Sequence, residues 1–201
     1  MEEMKSYLKL NNEMLNMYDS TGLLDRDKDI EATRRYFLEE INVRMRYFID
    51  LEEKLKYLVS ENYYEKEFLE QYSFESIKKI FKIAYNYNFR FPSFMSASKF
   101  YEGYALKSRD GKEILEKYED RMSIVALYLA QGDTEKAEKW VNTLMRTYQP
   151  ATPTFLNVGK KARGELVSCF KLSVDDSMNS IAHNIGNALQ LSKMGGGVGI
   201  N

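Results

Sequence analysis

The sequence is poor in residues that build disulfides and metal centres, with one cysteine, Cys169, and one histidine, His183, among 201 residues. A lone thiol cannot close an internal disulfide, and this pair cannot form a Cys-rich zinc site. Composition alone favours a small buried core residue as the interpretation of Cys169 and leaves a redox-active thiol as the alternative. No local motif supports a Cys/His catalytic dyad.

Long apolar runs and an excess of either charge are also absent. The 29 basic and 30 acidic residues give a net charge of -1, which argues against a nucleic-acid or membrane surface. No apolar run approaches the roughly 20 residues that a membrane span needs, and residues 1–14 lack the basic start of a secretory signal. We therefore expect a soluble cytoplasmic protein without nucleic-acid or membrane partners. The 15 tyrosines and 11 phenylalanines lie at helical spacing, which favours a core role over base stacking.

Glycine and proline are scarce in the first part of the chain and concentrated in the last. Residues 1–149 hold four of the eleven glycines and one of the three prolines. These residues collect where the backbone must turn or approach a ligand. The distribution predicts a helical scaffold over residues 1–149 and a functional site within residues 150–201.

Apolar residues recur every three or four positions in the first part and predict helices. The longest such segment is Ile30–Leu58. Ser73 is predicted to cap a helix with an inner stripe formed by Ile77, Ile80, Phe81 and Ala84. An apolar helix at 120–130 is followed by a turn and a second helix, Thr134–Met145. The inward-facing residues of this second helix are expected to be Ala137, Trp140, Val141 and Leu144.

The segment Pro150–Gly159 contains two prolines three positions apart. Proline fixes φ and removes a backbone donor, so we expect an extended, rigid loop. Thr152 and Thr154 place hydroxyl groups on that frame. Such a loop can bind a phosphate-bearing ligand, although Thr-Pro-Thr also suits an ordinary surface loop.

The last 36 residues predict a strand, a helix and a glycine-rich turn. Leu166–Leu172 is rich in β-forming residues and contains Cys169 next to Ser168. Acidic residues and Ser177 precede a helix that runs from about Ser177 to Lys193. Glycines 195–197 and 199 then suggest close approach of a ligand to the backbone. The run matches neither a dinucleotide-binding fingerprint nor a Walker A loop.

Four segments of this tail resemble, in the same order, the large subunit of class I ribonucleotide reductases, with the class Ib branch the most similar. They read QPATPTFLNVG (149–159), RGELVSCF (163–170), DDSMNSI (175–181) and QLSKMGGGVGIN (190–201). The upstream segments FMSASKFYEGYALK (94–107) and IVALYLAQG (124–132) resemble the same branch. The resemblance covers nearly the whole chain.

The resemblance implies a mainly α N-terminal domain, residues 1–149, followed by the start of a ten-stranded α/β barrel, residues 150–201. It also implies part of a ribonucleoside-diphosphate reductase, which makes 2′-deoxyribonucleoside diphosphates for DNA synthesis by thiyl-radical chemistry. In that family a cysteine pair supplies the reducing equivalents. Cys169 matches one member of the pair and is the expected catalytic residue. The positions that match contacts to the substrate are Thr152, Ser168, Cys169 and Gly197.

The resemblance further implies regulation and partners. Asp176 and Ser177 match the allosteric specificity site, where a nucleoside triphosphate effector binds at a dimer interface. No cofactor or metal is expected in this chain, because the family's metal-tyrosyl radical belongs to a small partner subunit. The other expected partners are a second large subunit, a redoxin reductant and a C-terminal fragment that completes the barrel.

Several elements of the family pattern have no counterpart in this sequence. They are the second cysteine of the redox pair, the radical cysteine with its Asn and Glu, the C-terminal cysteine pair and a full ATP-binding cone. We therefore expect the chain to be inactive alone. The alternative hypothesis is a non-catalytic nucleotide- or protein-binding remnant of the subunit.

Overall fold

The computed structural model describes residues 4–14, 26–161 and 164–201. In these ranges the chain is mainly helical, with two π-helical segments, Phe37–Ile41 and Phe100–Tyr104. The helices of the first part are α1 (Ser6–Met14), α2 (Asp27–Tyr36), α3 (Asn42–Arg44), α4 (Leu51–Ser60), α5 (Lys66–Leu69), α6 (Phe74–Asn86), α7 (Phe94–Lys99), α8 (Tyr118–Ala130) and α9 (Thr134–Met145). They are followed by α10 (Thr152–Asn157), β1 (Cys169–Leu172), α11 (Met178–Lys193) and β2 (Gly197–Ile200). None of the helices in the described ranges is both long and apolar enough to cross a membrane.

Helix α8 lies at the centre of the helical part. Residues 120–127 are all buried, and a helix that is hydrophobic on all sides must be covered on all sides. It packs against α5, α6, α9 and α10. The predicted apolar helix at 120–130 is therefore confirmed, and it is the element on which the later site segments rest.

The predicted helix starts at Ser73 and after the 131–134 turn are confirmed. The Ser73 hydroxyl accepts the Ser76 amide, and the predicted inner stripe of α6 is buried. In the turn, Gln131 and Gly132 have φ of 47° and 88°, and Asp133 caps α9. The inward placement of Trp140 is wrong, because its side chain is 42% exposed. The inner face of α9 is instead formed by Ala137, Val141, Leu144 and Met145.

The prediction of one continuous helical segment over Ile30–Leu58 is wrong. The chain leaves the helical conformation at Met45, where ψ is 122°. A new helix, α4, begins after Asp50, whose side chain accepts the Glu53 amide and caps the helix. Long-range pairing causes the break, since the Arg46 amide donates to the Ile114 carbonyl at 3.0 Å. A partner almost 70 residues away in sequence cannot be read from local periodicity.

The prediction of an extended loop over Pro150–Gly159 is also wrong, because residues 152–157 form α10. Pro153 lies in the first turn of this helix. The first turn has no intrahelical acceptor for its N–H groups, so proline loses nothing there and its fixed φ suits the helix. Phe155 is buried and anchors α10, with its ring centroid 5.0 Å from that of Tyr104.

The last described segment is a parallel strand–helix–strand unit. β1 and β2 pair in the register Cys169–Gly197 to Leu172–Ile200, and α11 connects them and packs on both. Parallel strands need such a crossover, usually a helix. This unit is the repeating element of an α/β barrel, and it confirms the predicted fold class.

Buried phenols predict a loss of stability in alkali. Burial raises the pKa of Tyr36 to about 12, and it is also the largest cause that raises the pKa of Tyr64 and Tyr101. The unfolded chain ionises near pH 10, so these residues stabilise the fold fully below pH 10 and lose that contribution as the pH rises further. For Tyr36 the contribution is about 2–3 kcal/mol. Thermal unfolding followed by circular dichroism should show a falling midpoint above about pH 10.

The matched variants Tyr36→Phe and Tyr148→Phe separate this effect from general alkaline damage. Tyr148 is exposed, so its replacement should leave the pH dependence as it is. Tyr36→Phe should flatten the dependence, since the phenol that must stay protonated is gone. Identical curves for the two variants would contradict the assignment.

Candidate functional site

Cys169 is exposed and lies at the first position of β1. The composition-based interpretation of Cys169 as a buried core residue is therefore wrong. The Ser168 hydroxyl is 3.7 Å from the Cys169 sulfur. The Gly197 amide donates to the Ser168 carbonyl at 2.7 Å. The structure thus brings together three of the four residues predicted to contact the substrate.

Gly197 keeps the surface beside the thiol open. Cys169 and Gly197 are register partners on neighbouring strands, and side chains at paired positions point to the same face of a sheet. An ideal Cβ on Gly197 would have one heavy atom within 4 Å, the Ser168 carbonyl oxygen at 3.5 Å. Because glycine has no side chain, a ligand can approach the sulfur and the strand backbone from this side.

The neighbouring glycines have structural causes that the sequence did not reveal. Gly195 has φ of +87° and turns the chain out of α11. A Cβ on Gly196 would collide with the ring of Phe170, 2.6 Å from its Cδ2 atom. Gly195 and Gly196 therefore have structural explanations of their own, and close approach of a ligand to the glycine run stays a prediction.

Thr152 is exposed at the start of α10. The contacts that hold this helix are with α8 and with the segment Phe100–Tyr104 of the helical part. At the other end of α10, Asn157 accepts the Gly164 amide and donates to the Glu165 carbonyl at 2.9 Å. The helix is thereby connected to the segment that leads into β1.

Asp176 and Ser177 lie at the start of α11. The Ser177 hydroxyl accepts the Ser180 amide at 3.1 Å, and the Asp175 amide donates to the Ser180 hydroxyl at 3.0 Å. Asp176 is exposed and precedes the cap of a 16-residue helix. A carboxylate in this place complements the positive end of the helix dipole. The predicted effector residues thus lie together at the N-terminus of α11. Of the predicted substrate residues, Cys169 and Gly197 are the first residues of β1 and β2.

The cap predicts a local effect of Ser177→Ala. Loss of the hydroxyl removes the acceptor of the Ser180 amide, which should destabilise the first turn of α11 by about 1 kcal/mol. Hydrogen exchange of the amides at 178–181 should accelerate accordingly. Ser192→Ala, in the last turn of the same helix, is the matched control and should leave these amides unchanged. Equal exchange in the two variants would contradict a capping role.

Apolar side chains recur along one face of α11, and this face is exposed in the described part of the chain. Met178 is 77% exposed and Leu189 is 67% exposed. Ile181 and Ile185 lie between them on the same helix face and are also exposed. A contiguous apolar surface of this kind marks an interaction site.

A buried charged cluster in the helical part was missed by the sequence analysis. Glu116 and Arg121 are fully buried and their side chains are 3.2 Å apart. Lys160 is nearly buried, with its amine 3.9 Å from Glu116. Tyr64 donates to Glu116 at 2.6 Å. The available signal was the position of Glu116 directly after Ile114 and Leu115, since charged residues are rarely fully buried unless paired.

Electrostatics keeps this cluster charged. Burial opposes ionisation of Glu116, but the charges of Arg121 and Lys160 outweigh it and hold the pKa of Glu116 below its ordinary value. Burial lowers the pKa of Lys160 to about 8. Both pKa values are lowered, but the shift favours the charged form of Glu116 and the neutral form of Lys160, because burial is outweighed by the neighbouring cations at Glu116 and is the largest cause at Lys160. The carboxylate is therefore firmly ionised, while the Lys160 amine can lose its proton at mildly alkaline pH.

Neither a metal cluster nor an enclosed cavity marks the predicted site. Within the residues that the structure describes, no group of three or more His, Cys, Asp or Glu side chains could hold a metal ion. A cavity of about 770 Å³ lies among α2, Phe89–Pro92 and the start of α8, and no predicted site residue lines it. Two strands and one helix cannot enclose a ligand by themselves, so the assignment of the site rests on Cys169 and its neighbours.

Family models match the chain in three consecutive parts. Residues 7–89 match the ribonucleotide reductase N-terminal model. Residues 90–163 match the all-alpha domain of ribonucleotide reductase, and residues 167–201 match its barrel domain. The three models follow one another in the order of the resemblance.

Curated relatives are similar over almost the whole chain. The ribonucleoside-diphosphate reductase NrdEB subunit alpha of Bacillus subtilis is 58% identical over 98% of this chain and 18% of the relative. A second subunit alpha of Bacillus subtilis is 56% identical over 99% of the chain and 28% of the relative. The subunit alpha of Mycoplasma genitalium is 42% identical over 99% of the chain and 27% of the relative. The chain thus spans about a fifth to a quarter of the length of the relatives it matches, and it belongs to the ribonucleoside-diphosphate reductase subunit alpha family.

Proposed function

We propose that this chain supplies the helical part, residues 1–149, and the first barrel segment, residues 150–201, of a ribonucleoside-diphosphate reductase. The complete enzyme converts ribonucleoside diphosphates to 2′-deoxyribonucleoside diphosphates. The observation that carries the proposal is the exposed Cys169 on a parallel strand, paired in register with Gly197 and adjacent to Ser168. Activity requires the remaining barrel, which corresponds to the part of the relatives outside the matched region.

In the proposed chemistry, Cys169 is one of two thiols that act as the reductant. A thiyl radical on another cysteine removes the 3′ hydrogen of the ribose, and the 2′ hydroxyl leaves as water. The two thiols give up two protons and two electrons and close a disulfide; one proton leaves with the 2′ hydroxyl as water, the other is bound at C2′ together with the two electrons, and the 3′ hydrogen returns to the product. Exposure of Cys169 supports this role, because thiol–disulfide exchange needs access to the sulfur. The metal-tyrosyl radical of the partner subunit supplies the initial oxidising equivalent.

The proposed substrate contacts combine hydroxyl groups with open backbone. Thr152 and Ser168 offer exposed hydroxyls, and the strand backbone at Gly197 is uncovered by any side chain of its own. Hydroxyl donors of this kind bind phosphate oxygens well. In the proposed complex, Thr152 and the open backbone at Gly197 contact the diphosphate, and the ribose lies beside the Cys169 sulfur.

The proposed regulation uses the start of α11. Asp176 and Ser177 bind a nucleoside triphosphate effector there, next to a second copy of the large subunit. The exposed apolar face of α11 supports burial of this helix in the assembled enzyme. The remaining proposed partners are a small radical-generating subunit, a redoxin and the C-terminal barrel fragment, in the cytoplasm.

Reconstitution tests the proposal. The chain is combined with the C-terminal part of the Bacillus subtilis subunit alpha that begins after the matched region, with the radical subunit and a dithiol reductant. Deoxyribonucleoside diphosphate should form with all components and not when the chain is left out. A folded complex without turnover would refute the proposal. Calorimetric binding of nucleoside diphosphates in such an inactive complex would support a non-catalytic binding remnant instead.

A further inference from the structure

We propose that Glu116, Arg121 and Lys160 are positioning residues for Thr152, a role that rests on the proposed binding of the substrate diphosphate by Thr152. None of the three belongs to the predicted site. They form the buried charged cluster described above, which holds the segment 158–160 directly after α10: Arg121 donates to the Val158 carbonyl, and Lys160 belongs to the segment and pairs with Glu116. The cluster therefore holds one end of a short helix whose other end carries the proposed phosphate contact.

Arg121 makes the contact that joins α8 to this segment. One guanidinium nitrogen, Nη1, pairs with Glu116, and the other, Nη2, donates to the Val158 carbonyl. The remaining nitrogen, Nε, is buried and has no hydrogen-bond partner among the described residues. An unsatisfied buried donor lowers the stability of the fold, and a lysine at this position would have no such donor. An arginine suits this position because the two terminal nitrogens of its guanidinium group can bond a carboxylate and a carbonyl at the same time.

Lys160 and its neighbours fix the segment on the other side. The Lys160 amine donates to the Tyr104 carbonyl at 2.7 Å and pairs with Glu116. The Gly159 carbonyl accepts the Glu65 amide at 3.0 Å. Gly159 has φ of +73°, and a Cβ there would meet Ile124 at 2.8 Å. The backbone after α10 is thus held by ionic contacts and by close packing on α8.

The anchored segment connects Thr152 with the cysteine strand. Helix α10 is six residues long, and its buried residue Phe155 holds it in place by packing against Tyr104. Asn157 bonds both Gly164 and Glu165, only a few residues before Ser168. A shift of the 158–160 backbone would therefore move Thr152 relative to Ser168 and Cys169.

This geometry predicts an effect on substrate affinity rather than on the chemical step. The cluster touches no reacting atom, and the redox thiol lies on β1. Loosening α10 should weaken the diphosphate contact equally in the ground state and the transition state, which raises KM and leaves kcat unchanged. A role in general stability alone would not produce this split.

The first test uses the chain by itself and the variants Arg121→Lys and Arg46→Lys. Arg46 forms an ion pair with Glu113 at the surface, so it is a control of the same chemistry away from α10. We expect hydrogen exchange of the Phe155 and Val158 amides to accelerate about tenfold in Arg121→Lys, and by less than about twofold in the control. Equal exchange in the two variants overturns the proposal, whatever the reconstituted enzyme does.

The second test uses the reconstituted enzyme. Arg121→Lys should raise the KM for the ribonucleoside diphosphate about tenfold with kcat within about twofold of the unmodified enzyme. If this variant does not fold, Lys160→Met replaces it, with Lys54→Met as the control, since Lys54 forms another largely buried ion pair with α8 through Asp120. A fall in kcat at constant KM, or the same KM change in the controls, overturns the positioning role. Absence of turnover with the unmodified chain refutes the proposed function instead, and the exchange experiment still decides whether the cluster fixes α10.

Discussion

Replacement of Glu116 by glutamine is expected to lower the free energy of unfolding by about 3–5 kcal/mol. The carboxylate is fully buried between Arg121 and Lys160. Glutamine has nearly the same shape, but its single carbonyl oxygen can accept either the Tyr64 hydroxyl or the Leu106 amide, which now bond different carboxylate oxygens. The loss comes mainly from leaving buried cations without a counter-charge, which costs more than the pair itself contributes.

Urea denaturation of the chain, followed by circular dichroism, measures this loss. Glu113→Gln is the matched control, because Glu113 forms an ion pair with Arg46 but its side chain is 46% exposed. Exposed pairs contribute no more than about 1 kcal/mol. The deficit of Glu116→Gln should also shrink as the pH rises to about 8, because the carboxylate raises the pKa of Lys160 and the amine therefore loses its proton at lower pH in the variant. A decrease in the free energy of unfolding no larger than that of the control would show that the ion pairs of Glu116 do not stabilise the fold.

Replacement of Cys169 by serine is expected to reduce turnover of the reconstituted enzyme by about 10³-fold or more, since a group that reacts covalently has no substitute. Serine keeps the size and polarity of the side chain but cannot close a disulfide. Binding of nucleoside diphosphate should change by less than about twofold, because the hydroxyl and backbone contacts stay in place. Product formation by chromatography and binding by calorimetry measure the two quantities separately.

Two controls sharpen the cysteine experiment. Ser173→Ala changes an exposed residue just after β1 and should leave turnover unchanged. Because Cys169 is the only thiol of the sequence and is exposed, one equivalent of an alkylating reagent should label the chain before reconstitution, and the activity of the enzyme assembled from it should fall in parallel. Full turnover by Cys169→Ser would remove the redox role, while unchanged turnover after complete alkylation would place the sulfur outside the site.

Local signals in the sequence were reliable where the interaction that they encode is itself local. The cap at Ser73 and the turn before α9 involve partners three or four residues apart, and both were predicted correctly. The predictions for segments 30–58 and 150–159 were wrong for different reasons. The first contains a break imposed by pairing with Ile114, and the second contains a proline in a helix turn that tolerates it. The inward placement of Trp140 was wrong because the periodicity of apolar residues in α9 gives the width of its buried face only approximately.

The sequence by itself determined the helical character of the first part, the first strand and the helix of the last part and, through its motifs, the family. The glycine-rich segment predicted as a turn forms the second strand, Gly197–Ile200, because it pairs with the first strand. Only the tertiary structure decided that Cys169 is exposed beside Gly197 and that Glu116, Arg121 and Lys160 meet in the interior. The physical reason is the range of the forces involved. Caps and helix periodicity act over a few residues, whereas the contact of Arg121 with Val158 joins positions 37 residues apart. Such a contact exists only because α8 is buried on every side and the chain after α10 must pack against it.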